Sequence, residues 1–149
     1  MDMWSPLILL TIEIAVNGKT YITNLSDLCV RCLCNVNGCD LSRGCNNGLC
    51  GPFYLPKVYW DDAGRPTQSG DSPGAEGSYE NCTSEYNCSV RTMNNYWEKY
   101  GKDCNDDGVT DCLDYIMINH NGGPECTPAL NQTSRGRDIM ASYKRCLLS

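Results

Sequence analysis

The stretch CVRCLCNVNGC, residues 29–39, places four cysteines within eleven residues and fills the space before Cys39 with two asparagines, a valine and a glycine. The whole chain has twelve cysteines in 149 residues, and every one lies at or beyond Cys29. An even number at this density is typical of extracellular domains, because thiols in a reducing compartment stay free or bind metals. We therefore expect a domain stapled by six disulfides, with no free thiol.

A thiolate metal site is the alternative interpretation of this stretch. Cys29, Cys32 and Cys34 have a spacing that half of a zinc site could use, but such a site needs a second spaced pair of ligands. The only histidine, His120, lies far along the chain. The pattern therefore favours disulfides over zinc.

The length of the chain limits how many domains it can form, and its charge limits which partners it can bind. A chain of 149 residues is about one domain with one modest core. The net charge is −6 at pH 7 and the pI is near 4.6. An acidic balance repels nucleic acid and the anionic surfaces of bacterial envelopes. We expect a monomer that has no nucleic-acid partner.

The first eighteen residues resemble a signal peptide. An apolar run from Leu7 to Val16 is followed by Asn17 and Gly18, a tolerable cleavage site. The run is too short to span a bilayer, and Glu13 interrupts it. We therefore expect a signal peptide at 1–18, a secreted domain at 19–149 and no membrane association.

Helical periodicity begins after a loop. Residues 61–77 are rich in Gly, Pro, Ser and Asp and predict a surface loop. Before this loop the pattern predicts short-spaced cysteine loops with one apolar and aromatic passage, GPFYLPKVYW, at 51–60. After it, apolar spacing predicts helices over about 79–100 and 111–119, and a third that carries Ile139, Met140 and Tyr143. The expected fold class is a small, α-rich α+β domain stapled by disulfides.

Several passages in this order resemble one family. They are CVRCLCNVNGC, CGPFYLPKVYW, GRP and HNGGPEC, and the resemblance runs from about Cys29 to Cys146. The chain is similar to the invertebrate-type lysozymes, the family that includes leech destabilase, and DCNDDGVTDCLDY resembles its insect branch. The resemblance implies a lysozyme-like fold, with a cleft for β-1,4-linked amino-sugar polymers such as peptidoglycan or chitin. It also implies a role in antibacterial defence or digestion.

Cleavage requires chemistry that this chain lacks at the matching positions. Glycoside hydrolysis uses a protonated carboxylic acid and a second carboxylate across the bond. The resemblance places a glutamate between Cys34 and Cys39, where this chain has Asn37 or a deletion. It places an aspartate before Cys50, where residues 46–49 contain no acid. We therefore predict no catalytic residues, with Asp40 as the one nearby substitute.

Four residues are candidates for sugar binding. Tyr59 and Trp60 match the family's Tyr-Trp pair and offer aromatic faces for sugars; the equal alternative is that both are core aromatics. His120 and Asn121 begin the HNGGP match and can hydrogen-bond sugar hydroxyls, or they can simply precede a helix end. An isopeptidase activity would need a nucleophile beside His120, and no serine near it in sequence marks itself out.

The segment DCNDDGVTDCLD, residues 103–114, matches a helix–loop–helix calcium loop. The predicted oxygen ligands are Asp103, Asn105, Asp107, Asp111 and Asp114. The alternative is an acidic turn held by disulfides at Cys104 and Cys112, because aspartate at the last loop position is short for bidentate ligation. Calcium is thus a possible cofactor, and none is required for chemistry.

Two functions remain open from the sequence. The first is a secreted lysozyme-family protein that binds peptidoglycan or a chitin-like glycan and has lost muramidase activity. The second is a secreted, non-catalytic scaffold that acts through a protein partner. The aromatic and polar residues matched to the family favour the first, whereas the acidic net charge favours the second.

Overall fold

A computed structural model describes residues 20–21, 26–121, 125–126 and 128–149 of the chain. The predicted signal peptide at 1–18 lies outside the described residues. In chain order the helices are α1 (Asp27–Val36), α2 (Lys57–Asp62), α3 (Ser78–Ser84), α4 (Tyr86–Tyr100), α5 (Cys112–Asn121) and α6 (Ser134–Leu147). A 3₁₀ turn, Leu130–Gln132, precedes α6. No helix in these described ranges is long and apolar enough to cross a membrane.

The cysteine-rich stretch that opens the domain is a helix and not a loop. The Ser26 Oγ accepts the backbone N–H of Cys29 at 3.1 Å and caps the start of α1. Cys29 and Cys32 are one helical turn apart, and both are buried together with Leu33. The prediction of a loop was wrong because the cysteines supply the buried face that apolar residues supply in other helices.

The helix predicted over 79–100 is divided into α3 and α4. Glu85 has extended backbone, and its carboxylate accepts the N–H groups of Asn87 at 3.0 Å and Cys88 at 2.7 Å. It therefore caps α4, and a Cys82–Cys88 disulfide spans the break. Gly101 ends α4 as the sequence predicts. The segment after α2 lacks regular structure as far as Gly77, so most of the predicted 61–77 loop is confirmed.

Two small sheets complete the fold. Strands β2 (Cys45–Asn46), β3 (Leu49–Cys50) and β4 (Leu55–Pro56) form an antiparallel sheet in which Cys45 faces Cys50. Strands β1 (Thr20–Tyr21) and β5 (Val109–Thr110) pair in parallel. The sheets are minor beside the six helices, so the α-rich α+β class is confirmed.

Disulfides join the first helix to the last two. Cys29 bonds to Cys112 of α5, and Cys32 bonds to Cys146 of α6. The other four bridges are Cys34–Cys39, Cys45–Cys50, Cys82–Cys88 and Cys104–Cys126. No cysteine is free, which confirms the prediction of six disulfides. These links hold α1, α5 and α6 around one core, to which α2 and α4 also contribute, and α3 packs against α4.

Candidate functional site

A cavity of about 290 Å³ opens where the end of α1, the small antiparallel sheet, the end of α5 and the start of α6 meet. Its floor is apolar and includes Leu33, Phe53 and Ile139, all buried. The polar residues that line it are Asn37, Tyr54, Tyr59, Asn119, His120, Asn121 and Arg135. An apolar cavity with a few convergent polar groups is the usual form of a small-ligand site.

A groove of about 390 Å³ continues from this cavity toward the β2–β3 hairpin. Asn37, Tyr54 and Arg135 line both spaces, and the groove adds Arg43 and the hairpin asparagines at 46–47. We call the cavity and the groove together the cleft. Its size falls in the range of roughly 300 to 1,000 Å³ in which proteins hold small ligands.

Both segments where the resemblance places catalytic acids line this cleft. Asn37 is half-buried and directly follows α1, where the Cys34–Cys39 disulfide closes the loop. The hairpin that ends at Cys50 contributes Leu49 and residues 46–47. Among the described residues that line the cleft, none is aspartate or glutamate. The cleft wall at these positions therefore offers amides and apolar groups.

Asp40, the nearby substitute, is exposed and does not line the cleft. Its Oδ1 accepts hydrogen bonds from the hydroxyl and the backbone N–H of Ser42, at 2.6 and 3.0 Å. These bonds hold the pKa of the Asp40 carboxyl below its ordinary value. A general acid must be protonated at working pH, so this carboxylate is unsuited to that role.

Tyr59 lies in the wall of the cavity but exposes little surface. It is 5% exposed, and its hydroxyl is buried with no hydrogen-bond partner in the described part of the chain. Burial raises the pKa of the hydroxyl well above its ordinary value, so it remains a neutral donor. Buried polar groups usually have a hydrogen-bond partner, so this unpaired hydroxyl beside the cavity is an exception.

Trp60, its neighbour in α2, does not line the cleft. The indole packs in a separate small core with Tyr79 and Cys82, and its Nε1–H donates to the carbonyl of Pro66 at 2.7 Å. Successive helical residues project in directions about 100° apart, so Tyr59 and Trp60 enter different environments. Trp60 is therefore a core aromatic, which is the alternative that the sequence left open.

His120 and Asn121 both line the cavity from the last turn of α5. The Asn121 side-chain amide donates to the carbonyl of Pro128 at 3.2 Å, which fixes its orientation. Burial, with a smaller contribution from Arg135, lowers the pKa of His120 below its ordinary 6.5. The ring is therefore mostly neutral at pH 7 and can both donate and accept a hydrogen bond.

Two arginines give the cleft a positive side. The Arg43 guanidinium lies over the Tyr54 ring, 3.8 Å from its centroid, and its Nε is buried with no partner among the described residues. Arg135 is exposed at the start of α6. Tyr54 has a φ of 55°, a left-handed conformation that bulky residues rarely adopt and that is often found at functional sites.

Comparison with known proteins identifies the family. A family model described as Destabilase matches residues 26–146. The chain belongs to the destabilase family. A lysozyme of Ostrea edulis is 34% identical to it in an alignment 127 residues long that covers 79% of this chain and 82% of that protein. Invertebrate-type lysozyme 3 of Caenorhabditis elegans is 31% identical in an alignment 103 residues long that covers 65% of this chain and 71% of that protein.

Solved structures show the same fold. The crystal structure of an inhibitor-bound lysozyme from Meretrix lusoria matches with a TM-score of 0.57 and 25% identity, covering 83% of this chain and 98% of that one. A structure of Aeromonas hydrophila PliI in complex with Meretrix lusoria lysozyme matches with a TM-score of 0.56 and 22% identity, covering 72% and 87%. The predicted lysozyme-like fold and the resemblance to invertebrate-type lysozymes are confirmed. Assignment to the insect branch remains a prediction.

In the acidic loop at 103–114 of this destabilase-family chain, carboxylates accept hydrogen bonds from backbone N–H groups of the loop itself. Asp114 is fully buried, and its two oxygens accept the N–H groups of Cys104, Asn105 and Asp111 at 2.8, 3.3 and 2.8 Å. Burial nonetheless raises the pKa of this carboxyl. Asp103 accepts the N–H groups of Asp107 and Gly108.

The remaining predicted ligands also accept bonds from the backbone of the loop, as Asx turns do. Asn105, Asp107 and Asp111 accept the N–H groups of Asp107, Val109 and Leu113. In the described ranges, no group of three or more His, Cys, Asp or Glu is placed to hold a metal ion. The Cys29–Cys112 and Cys104–Cys126 bridges also tether the loop. Calcium binding by this loop stays a prediction.

No sequence motif indicated that two arginines and a tyrosine meet in the cleft. Arg43, Tyr54 and Arg135 lie on different elements, and only the fold brings them together. The sequence did contain one indication of a basic cleft. Arg43 lies between the two segments that match the family's catalytic positions. A basic residue there, with both acids absent, indicates a changed charge in the cleft.

Proposed function

We propose that this lysozyme-family protein is secreted and binds a β-1,4-linked amino-sugar glycan, peptidoglycan or a chitin-like polymer, in its cleft without cleaving it. One observation carries the proposal. Both segments where the resemblance places the family's catalytic acids line the cleft, yet no carboxylate is among the described residues that line it. Binding and cleavage are therefore separable in this chain.

Loss of cleavage follows from the chemistry of the glycosidic bond. The leaving oxygen must receive a proton, and an amide such as that of Asn37 cannot donate one as an acid. General acid–base assistance typically contributes about 10²- to 10⁴-fold in rate. The second carboxylate stabilises the oxocarbenium-like transition state or attacks it, so its absence adds to the loss. Without either group, no useful rate of hydrolysis is expected.

Binding capacity is supported by the polar groups that remain. Asn37, Asn119, His120 and Tyr59 all line one cavity. Sugars present hydroxyl and N-acetyl groups that both donate and accept, and amides and imidazole match them. The apolar floor at Leu33 and Phe53 suits the hydrophobic faces of sugar rings.

Secretion is supported by the disulfides. Six bridges and no free thiol require an oxidising compartment to form and persist. An extracellular protein of this family that binds glycan is suited to recognition of bacterial walls in defence or digestion. No cofactor is needed for this activity.

The experiment uses purified protein with its disulfides intact. Clearing of a bacterial cell-wall suspension measures cleavage, and sedimentation with insoluble peptidoglycan or chitin measures binding. The expected result is binding without clearing. Clearing that disappears in the Asp40→Asn variant would overturn the proposal and identify Asp40 as the acid. The absence of binding to either polymer would also overturn it.

The second candidate is a scaffold that acts through a protein partner. One observation favours it: the Meretrix lusoria lysozyme, which shares this fold, is seen in complex with the protein PliI. A secreted protein without catalytic groups could use the same fold for such contact alone. Failure of glycan binding in the experiment above is the outcome that this candidate expects.

Calcium binding by residues 103–114 also remains a proposal. The ligand spacing in the sequence supports it. The alternative is a purely structural loop, in which the same side chains only accept backbone N–H groups. Measurements of stability with and without calcium decide between these possibilities.

A further inference from the structure

We propose that the cleft selects amino-sugar glycans that carry free carboxylates, and that Arg43 and Arg135 bind those carboxylates. This inference rests on the proposed function and names the chemical class of the glycan. It predicts preference for peptidoglycan, whose muramic acid and peptide stems bear carboxyl groups, over chitin, which has none. The arginines are thus specificity-determining residues for binding.

The charge of the cleft is opposite to that of the protein. The chain has a net charge of −6. The charged residues that line the cleft in the described part of the chain are nevertheless Arg43 and Arg135. A cleft lined by one sign of charge focuses the local field and attracts ligands of the other sign. The acidic net charge therefore does not prevent binding of an anionic glycan at this site.

Neither arginine is used in a salt bridge among the described residues. The described salt bridges join Lys57 and Arg65 to Asp61, which lies in α2 and does not line the cleft. Asp40 is close enough for weak attraction to Arg43, but hydrogen bonds from Ser42 hold its Oδ1. Within the described part of the chain, neither guanidinium group is paired with a carboxylate.

Arg43 is positioned before any ligand arrives. Stacking on the Tyr54 ring, at 3.8 Å, fixes the plane of the guanidinium. Its Nε is buried with no partner in the described ranges, and the Arg43 side chain lines the groove. A carboxylate can accept two parallel N–H bonds from an arginine, and this geometry gives both affinity and selectivity.

Arg135 has no evident structural reason for its place. It is the second residue of α6, where the helix dipole disfavours a cation. The side chain is exposed and lines both parts of the cleft. Its charge reaches the cavity, because it contributes to the lowered pKa of His120. A positive group beside the positive end of a helix makes this edge of the cleft attractive to an anion.

The test compares three insoluble polymers in a quantitative sedimentation assay. The first is native peptidoglycan, the second is the same peptidoglycan after its carboxyl groups have been converted to amides with carbodiimide and ammonia, and the third is chitin. We expect amidation to weaken binding about tenfold, because bonds to charged groups are about twice as strong as neutral ones. Added salt should weaken binding to the native polymer and not to the amidated one.

Variants assign the effect to the two arginines. Arg43→Gln and Arg135→Gln should each weaken binding to native peptidoglycan about tenfold and leave binding to the amidated polymer unchanged. Arg145→Gln is the matched control, because Arg145 is exposed on the same helix and does not line the cleft. This variant removes the same charge and should change binding neither to native nor to amidated peptidoglycan.

Soluble competitors distinguish the two sources of carboxylate. N-acetylmuramic acid has a free lactyl carboxyl group, whereas muramyl dipeptide has that group in an amide bond and carries its free carboxyl on the peptide. Competition by the first alone assigns the lactyl group, and competition by the second assigns the stem peptide. Either result supports the inference, provided that the competition is lost in both arginine variants.

Two results overturn the inference and differ in what else they affect. Equal binding to native peptidoglycan, amidated peptidoglycan and chitin, unchanged in both arginine variants, would reject carboxylate selection and leave the proposed glycan binding intact. Binding to none of the three polymers would reject both. Because Arg135 is exposed, its variant should fold even if replacement of Arg43 disturbs the loop.

Discussion

Tyr59 stacks on Tyr96 with ring centroids 3.8 Å apart and planes 12° from parallel. The stack holds Tyr59 in the cavity wall while its hydroxyl stays buried and unpaired among the described residues. Burial of an unpaired hydroxyl costs stability in the free protein. The arrangement is therefore understandable if a ligand supplies the missing partner.

Replacement of Tyr59 by Phe tests this relationship. The ring and its stack are kept, and the unpaired hydroxyl is removed, so the free energy of unfolding should stay the same or rise by up to about 2 kcal/mol. Affinity for peptidoglycan should fall several-fold if the hydroxyl contacts the glycan. Thermal melting and sedimentation measure the two quantities. A variant that is both less stable and unimpaired in binding would contradict the interpretation.

The pKa of His120 predicts how stability depends on pH. The folded state lowers this pKa below 6.5, so the unfolded chain binds the proton more readily. The stability that the neutral His120 ring contributes is fully present above the pKa of the unfolded chain. It is lost as the pH falls through 6.5 toward the pKa of the folded state. Wild type and His120→Gln should be compared by thermal unfolding between about pH 7.5 and 5. The variant should lose less stability over this interval, and parallel curves would contradict the prediction.

Restoration of one acid should not restore cleavage. Asn37→Glu places a carboxyl group in the cleft at the position matched to the family's glutamate. The hairpin side of the cleft still lacks the second carboxylate, so the variant should remain inactive in a cell-wall clearing assay. Clearing by this single variant, absent in Asn37→Gln, would mean that the chain has a second acid in another place.

Asp114 provides a test of calcium against a purely structural role. Asp114→Asn keeps one acceptor oxygen but sets an amide N–H against a backbone N–H, which should cost about 1 to 3 kcal/mol of stability. If the loop is structural, the loss should be the same in chelator and in about 10 mM calcium. If the loop binds calcium, wild type should melt higher with the ion, and the variant should lose this increase.

The sequence predicted the later part of the fold better than the earlier part. The buried faces of α4 and α6 match the apolar spacing in the sequence, because residues such as Met93, Tyr96 and Ile139 face the interior. Helix α1 was missed because its buried face is built from cysteines, whose bonding partners lie at the other end of the chain. The break at Glu85 was missed because one polar residue can either continue a helix or cap the next.

The site was predicted in part for a similar reason. Tyr59, His120 and Asn121 match local motifs and meet in one cavity. Trp60 matches the same motif, but its orientation depends on which side of α2 faces the cleft. Arg43 and Arg135 belong to no motif, and their meeting depends on the packing of α6 against α1. Charge in a cleft is therefore a property of the fold that local patterns do not report.

The disulfides that join the two ends of the domain also decide what a protease can achieve. The irregular segment between α2 and α3 is the natural place for a cut, because its backbone is exposed and rich in turns. Cys29–Cys112 and Cys32–Cys146 both connect the part before this segment to the part after it. A molecule cut there remains one covalent body, with every residue of the cleft still attached. Such a molecule would survive its first proteolytic cuts with its cleft intact.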